Sequence, residues 1–112
     1  RQNIPVFPGA LTPQEIKVAW DAGATMIKVF PIKFFGPDYL SEIKGPFADI
    51  KLLACGGITP ENIGTYFAKG VSAVAFGAGI FRPEWLCPEK LPHIHRSIRD
   101  LLTAYQNHVH RR

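Results

Sequence analysis

The helix start Thr12-Pro13-Gln14-Glu15 recurs as Thr59-Pro60-Glu61-Asn62, and each copy leads through a glycine stop into a short apolar strand. Nothing else in the chain restricts its fold as much. Thr caps a helix, Pro suits the first helical position, and Glu15 at the third position closes a capping box. Each helix is predicted to run about ten residues. The stops are Gly23 and Gly70, and the strands that follow are Thr25–Phe30 and Ser72–Phe76. The spacing between the copies is of the size that marks tandem units. Between them the sequence predicts a further helix near Pro37 to Lys44, closed by Gly45-Pro46, and a strand at Lys51–Ala54. A short strand is expected at Ile4–Phe7. From Leu91 to Asn107, the residues Ile94, Ile98, Leu101, Leu102 and Tyr105 recur at helical spacing.

The order is therefore β-α-β-α-β-α-β-α, which implies a parallel sheet with right-handed crossovers. The 112 residues are read as one domain, 1–112. An eight-unit (β/α)8 TIM barrel takes about 250 residues, so four βα units amount to half of one. Four parallel strands also make a small open sheet, and the pattern alone does not separate the two.

Composition removes several classes. With 46% hydrophobic and 20% charged residues the chain is globular. No apolar run approaches the roughly 20 residues of a membrane helix. The start, Arg1-Gln2-Asn3, has neither Met nor an apolar signal core, which points to a processed start or a piece of a longer chain. Thirteen basic against nine acidic residues give a net charge of +4, which suits an anionic small molecule as well as nucleic acid. No nucleic-acid motif or interleaved aromatics accompany Arg96, Arg99, Arg111 and Arg112, so no nucleic-acid partner is expected. Cys55 and Cys87 are too few for a disulfide scaffold, which favours a reducing compartment; both are expected as small buried hydrophobes. His93-x-His95 and His108-x-His110 do not share a helix face and lack companion ligands, so no metal site is expected. The tail from His108 to Arg112 is expected to be solvated or frayed. Trp20 and the phenylalanines are assigned to core or interface.

Two features carry candidate chemistry. Lys28 interrupts an apolar strand, with Met26, Lys28 and Phe30 on one face and Ile27 and Val29 on the other. The matching position in the internal copy is Ala75, which suggests a crowded inner face and a lysine pointing into an enclosed space. Burial there lowers an amine pKa, and the neutral amine can attack a carbonyl to form a Schiff base. The alternative is a lysine snorkelling from an exposed edge strand. The second feature is a pair of glycine clusters, Cys55-Gly56-Gly57-Ile58 and Gly77-Ala78-Gly79-Ile80, at the ends of the last two strands. Glycine lets backbone N–H groups approach an anion, and loops after consecutive barrel strands often form a phosphate site. Glycine also serves ordinary tight turns.

Pro8-Gly9-x-x-Thr12, Ile27-Lys28-Val29-Phe30-Pro31, Gly45-Pro46-Phe47, Gly56-Gly57-Ile58 and Gly77-x-Gly79 occur in that order. Together they resemble the second half of the class I 2-keto-3-deoxy-6-phosphogluconate (KDPG) and 4-hydroxy-2-oxoglutarate aldolase family, from about Ile4 to Phe81. The resemblance implies the last four units of a (β/α)8 barrel. It implies that Lys28 is the Schiff-base lysine, that Phe30 and Pro31 shape the pocket, and that Cys55, Gly56, Gly57, Gly77 and Ala78 line the substrate and phosphate site. It further implies reversible cleavage of a phosphorylated 2-keto-3-deoxy sugar acid to pyruvate and glyceraldehyde 3-phosphate, without metal or other cofactor, by a cytoplasmic homo-oligomer, commonly a trimer.

The chain departs from the family at Cys55, where Thr is usual, and at Ala78, where Ser is usual. Ile32-Lys33 stands where a small residue and an acid are common, and Lys33 is a candidate for compensating positive charge. The family's general-base glutamate and carboxylate-binding arginine come from its first four units and have no counterpart here. An active enzyme therefore requires a complementary N-terminal half. The rival expectations are a non-catalytic half-barrel that self-associates, or a phosphate-binding epimerase or isomerase with Lys28 as general base.

Overall fold

The computed structural model describes residues 2–111; Arg1 and the last residue of the tail, Arg112, lie outside them. Four strands, β1 (Gly9–Ala10), β2 (Ile27–Val29), β3 (Leu52–Cys55) and β4 (Ala73–Ala75), form one parallel sheet in the order β1-β2-β3-β4. The helices α1 (Pro13–Asp21), α2 (Pro37–Lys44), α3 (Ile63–Ala68) and α4 (Leu91–His110) complete four βα units. The sheet is open, with β1 and β4 as its edges.

Register sorts the strand residues into two faces. Ala10, Val29, Ala54 and Val74 form one row, with Ile27 beside Leu52 on the same face. Ile27, Val29, Leu52 and Ala54 are fully buried and pack with Ile16 of α1, Leu40 and Ile43 of α2, Ile63 and Tyr66 of α3, and Ile94 and Leu101 of α4. Gly9, Lys28, Leu53 and Ala73 form the row on the opposite face, with Cys55 beside Ala75. Among the described residues, the main core includes none of that row. Leu53 is buried there without joining the main core, and Lys28, Cys55, Ala73 and Ala75 stay partly exposed.

α1 starts as its sequence requires. The Thr12 hydroxyl accepts from the Glu15 N–H (3.3 Å), and Glu15 accepts from the Thr12 N–H (3.0 Å) and from the Thr12 hydroxyl (2.6 Å). The hydroxyl, then the Thr12 backbone N–H, hold the Glu15 carboxyl below its ordinary pKa. A lowered folded pKa contributes stability that is present above the ordinary glutamate value and is lost as pH falls through the folded value. Thr12→Ala should cost about 1 kcal/mol at neutral pH. Comparison of urea midpoints should show the gap from the parent narrowing in acid, where Glu15 is protonated.

Other expectations need correction. Ile4–Phe7 is not a strand. The Val6 and Pro8 carbonyls accept from the Thr25 and Lys28 N–H groups (3.0 and 2.9 Å), but Pro5 and Pro8 have no N–H to continue a ladder, so β1 begins at Gly9. α3 has six residues and starts at Ile63 instead of just after Thr59. Thr59 and Asn62 do exchange backbone-to-side-chain bonds (2.8 and 3.2 Å), but Asn62 also donates to the Gly57 carbonyl (2.8 Å), which holds Pro60–Asn62 as a separate turn. α4 extends past Asn107 to His110, so the tail from His108 to His110 is helical, with Arg111 at its C-cap. His108 is half-buried, its ring packed 6.1 Å from that of Phe67 and against Gly64, with Nε2 buried and lacking a hydrogen bond. Leu102 and Tyr105 lie on the exposed margin of the α4 stripe. Cys55 and Cys87 are both half-buried free thiols and not core residues.

Candidate functional site

Lys28 stands in the middle of β2 on the uncovered face, beside Gly9 of β1 and Leu53 of β3. Its stem lies over Gly9, where an added Cβ would be 3.6 Å from Lys28 Cε. The Lys28 Nζ lies 5.5 Å from the centre of the Phe30 ring. The register agrees with the facial alternation, but the expected enclosure is not seen: Lys28 is half-buried on the uncovered face. The edge-strand alternative also fails, since β2 is an interior strand.

Just past the C-terminal ends of β2, β3 and β4 lies a cleft of about 530 Å³. Phe30, Pro31, Cys55, Gly56, Gly57, Gly77 and Ala78 all line it, so the seven residues expected around a substrate converge on one space. Lys28 does not line the cleft directly and meets it through Phe30. That half-exposed ring also packs on Gly56, where an added Cβ would lie 3.5 Å from Phe30 Cδ2. Phe30 thus spans the amine and the first glycine turn. Gly56 and Gly57 adopt φ of 109° and 74°, in the region that favours glycine. Gly77 and Gly79 have nothing within 4 Å of an added Cβ, so their backbone faces open space.

Sequence reasoning did not place Phe34, Thr59 or Phe76 in this lining. It also missed how closely Lys33 approaches Gly57: an added Cβ on Gly57 would lie 2.6 Å from Lys33 Cβ. The 3-10 turn Ile32–Phe34, anchored by fully buried Ile32, brings Lys33 there. The cleft lining contains no carboxylate and no histidine. His93 stacks on Trp85 (5.4 Å), away from it. Among the described residues no cluster of His, Cys, Asp or Glu could hold a metal ion, and no helix is long and apolar enough to cross a membrane.

Comparison with known proteins places this geometry. The family model for KDPG and KHG aldolase matches residues 1–97. The chain is 37% identical over 78 residues to 2-dehydro-3-deoxy-6-phosphogalactonate aldolase of Escherichia coli, covering 69% of this chain and 38% of that protein. A solved structure described as native KDPGal superposes with a TM-score of 0.85 at 30% identity, over 96% of this chain and 50% of that one. A cube-shaped, porous protein cage designed by fusing symmetric oligomeric domains matches with a TM-score of 0.86 at 28% identity, over 96% of this chain and 39% of that one. The four parallel βα units are thus units of a TIM-type barrel, and the chain spans well under two thirds of the length of the curated relatives it matches.

Proposed function

Because the chain belongs to the KDPG and KHG aldolase family, we propose that residues 1–112 are the C-terminal half of an aldolase barrel that works through a Schiff base on Lys28. The substrate is a 2-keto-3-deoxy-6-phospho sugar acid, and the products are pyruvate and glyceraldehyde 3-phosphate. One observation carries the reading: Lys28 lies against Phe30, and Phe30 forms the wall of the cleft that gathers both glycine turns.

The Lys28 amine adds to the ketone carbon, and loss of water leaves a protonated imine. A base removes the proton of the hydroxyl on the far side of the scissile bond. The carbon–carbon bond breaks, its electron pair enters the imine, and an enamine and the aldehyde result. Protonation of the enamine and hydrolysis release pyruvate and restore the amine. Gly56, Gly57, Gly77 and Ala78 cradle the phosphate through backbone N–H groups, while Phe30 and Pro31 hold the chain of the substrate. With no carboxylate or histidine in the lining, the base comes from the complementary N-terminal half, as does the residue that binds the substrate carboxylate. The same half covers the open face around Lys28, excluding water and favouring the uncharged amine that imine formation needs. The completed barrel assembles further as a homo-oligomer, with a trimer the state implied by the family resemblance.

The open edges of β1 and β4 also admit a second reading, in which copies of this chain close on each other without catalysis. An assay of pyruvate release from 2-keto-3-deoxy-6-phosphogluconate by the completed barrel separates the two. Release that persists in excess chelator is the expected result, because the protonated imine is the electron sink. Absence of release from a folded, complete barrel would reject the aldolase reading.

A further inference from the structure

We propose that Lys33 is a specificity-determining residue: its ammonium makes the cleft select a substrate end bearing a phosphate monoester. This rests on the reading of the cleft as the place for the substrate's phosphorylated end, and deepens it by naming the group that supplies the charge.

Lys33 is the one charged side chain in the cleft lining. It makes no ion pair among the described residues, where the two pairs formed are Lys17 with Asp21 and Lys69 with Asp38. Its stem is held in place. Ile32, fully buried, fixes the turn; Gly57 receives the Lys33 Cβ so closely that no other residue fits there; and the Nζ rests 5.0 Å from the Phe34 ring centre. An ammonium over an aromatic face at the surface is held weakly, by about 0.5–1 kcal/mol, so it can turn to a better partner.

The rest of the lining offers little competition for that role. Cys55 and Ala78 provide no hydroxyl; the Thr59 hydroxyl, which accepts from the Asn62 N–H, can donate its own hydrogen to an anion but carries no charge. An anion in the cleft therefore finds backbone N–H groups from the glycine turns, the Thr59 hydroxyl and one cation, the Lys33 ammonium. A neutral or merely hydroxylated end finds no compensation for displacing water from that cation. The selection is thus electrostatic and weakens with salt.

The test is a titration of the protein, completed as for the activity assay, with glycerol 3-phosphate, inorganic phosphate and glycerol, following backbone amide shifts of Gly56, Gly57 and Gly77. Glycerol 3-phosphate should move these amides and bind more tightly than inorganic phosphate, and glycerol should not move them. In Lys33→Met, glycerol 3-phosphate binding should weaken about tenfold and lose most of its salt dependence, while Lys33→Arg retains both. Equal affinity in Lys33→Met and parent, shifts away from the glycine turns, or inorganic phosphate binding as tightly as the ester would each overturn the proposal. Trapping of pyruvate on Lys28 is read separately in the same variants. Its loss in every sample would count against the aldolase reading while leaving Lys33 and the phosphate to be judged by the titration.

Discussion

Lys28→Met should abolish turnover while leaving the fold intact. The change keeps the length of an unbranched side chain and removes only the amine. Lys28 is half-buried on the uncovered face and forms no ion pair among the described residues, so stability should change by less than about 1 kcal/mol. A reaction routed through a covalent imine has no equivalent path without that nitrogen, and kcat should fall by roughly 10⁴-fold or more. Lys28→Arg should not rescue it, because guanidinium stays protonated and cannot supply the electron pair. Steady-state rates of pyruvate release check this. A Lys28→Met enzyme within tenfold of the parent would assign the chemistry to another residue.

Gly57→Ala should produce a large loss of stability for the addition of a single methyl group. Two costs combine there. The residue sits at φ 74°, where an L side chain costs roughly 1–2 kcal/mol. The new Cβ would also lie 2.6 Å from Lys33 Cβ, an atom next to the backbone that cannot swing away as a chain end would. Crowding of this kind typically costs 1–3 kcal/mol, so a total of about 3 kcal/mol is expected from urea midpoints. Gly77→Ala is the control: an added Cβ meets nothing within 4 Å, and the change should cost less than about 1 kcal/mol. Equal midpoints for the two variants would contradict the close packing of Lys33 on Gly57.

Local chemistry was readable from sequence where one segment decides its own structure. The Thr12 to Glu15 box and the Pro37 start place α1 and α2 on their expected residues, and the alternation around Lys28 assigns its face correctly. The glycine-rich ends of β3 and β4, with Phe30 and Pro31, do meet in one cleft. Misreadings arose where a distant group competes. The Thr59 start resembles the Thr12 start, yet the Asn62 side chain bonds back to Gly57 and delays α3. The Ile4–Phe7 segment is apolar enough for a strand, but Pro5 within it and Pro8 just after it interrupt the donors a ladder needs. The contact of Lys33 with Gly57 joins two units of the sheet and leaves no periodic trace. The enclosure expected for Lys28 from the small Ala75 is not met, because a strand pattern assigns a face but not what covers it, and Lys28 is half-buried.

The central claim is that the Lys28 amine becomes covalently bonded to the keto acid. Borohydride reduction of the completed barrel in the presence of pyruvate, followed by tandem mass spectrometry of the digested protein, tests it directly. The account predicts a single reduced pyruvate adduct on the peptide carrying Lys28, absent from Lys28→Met. An adduct on a different lysine, or a folded and assembled sample that acquires none, would contradict it and favour either general-base chemistry at Lys28 or a half-barrel without catalysis.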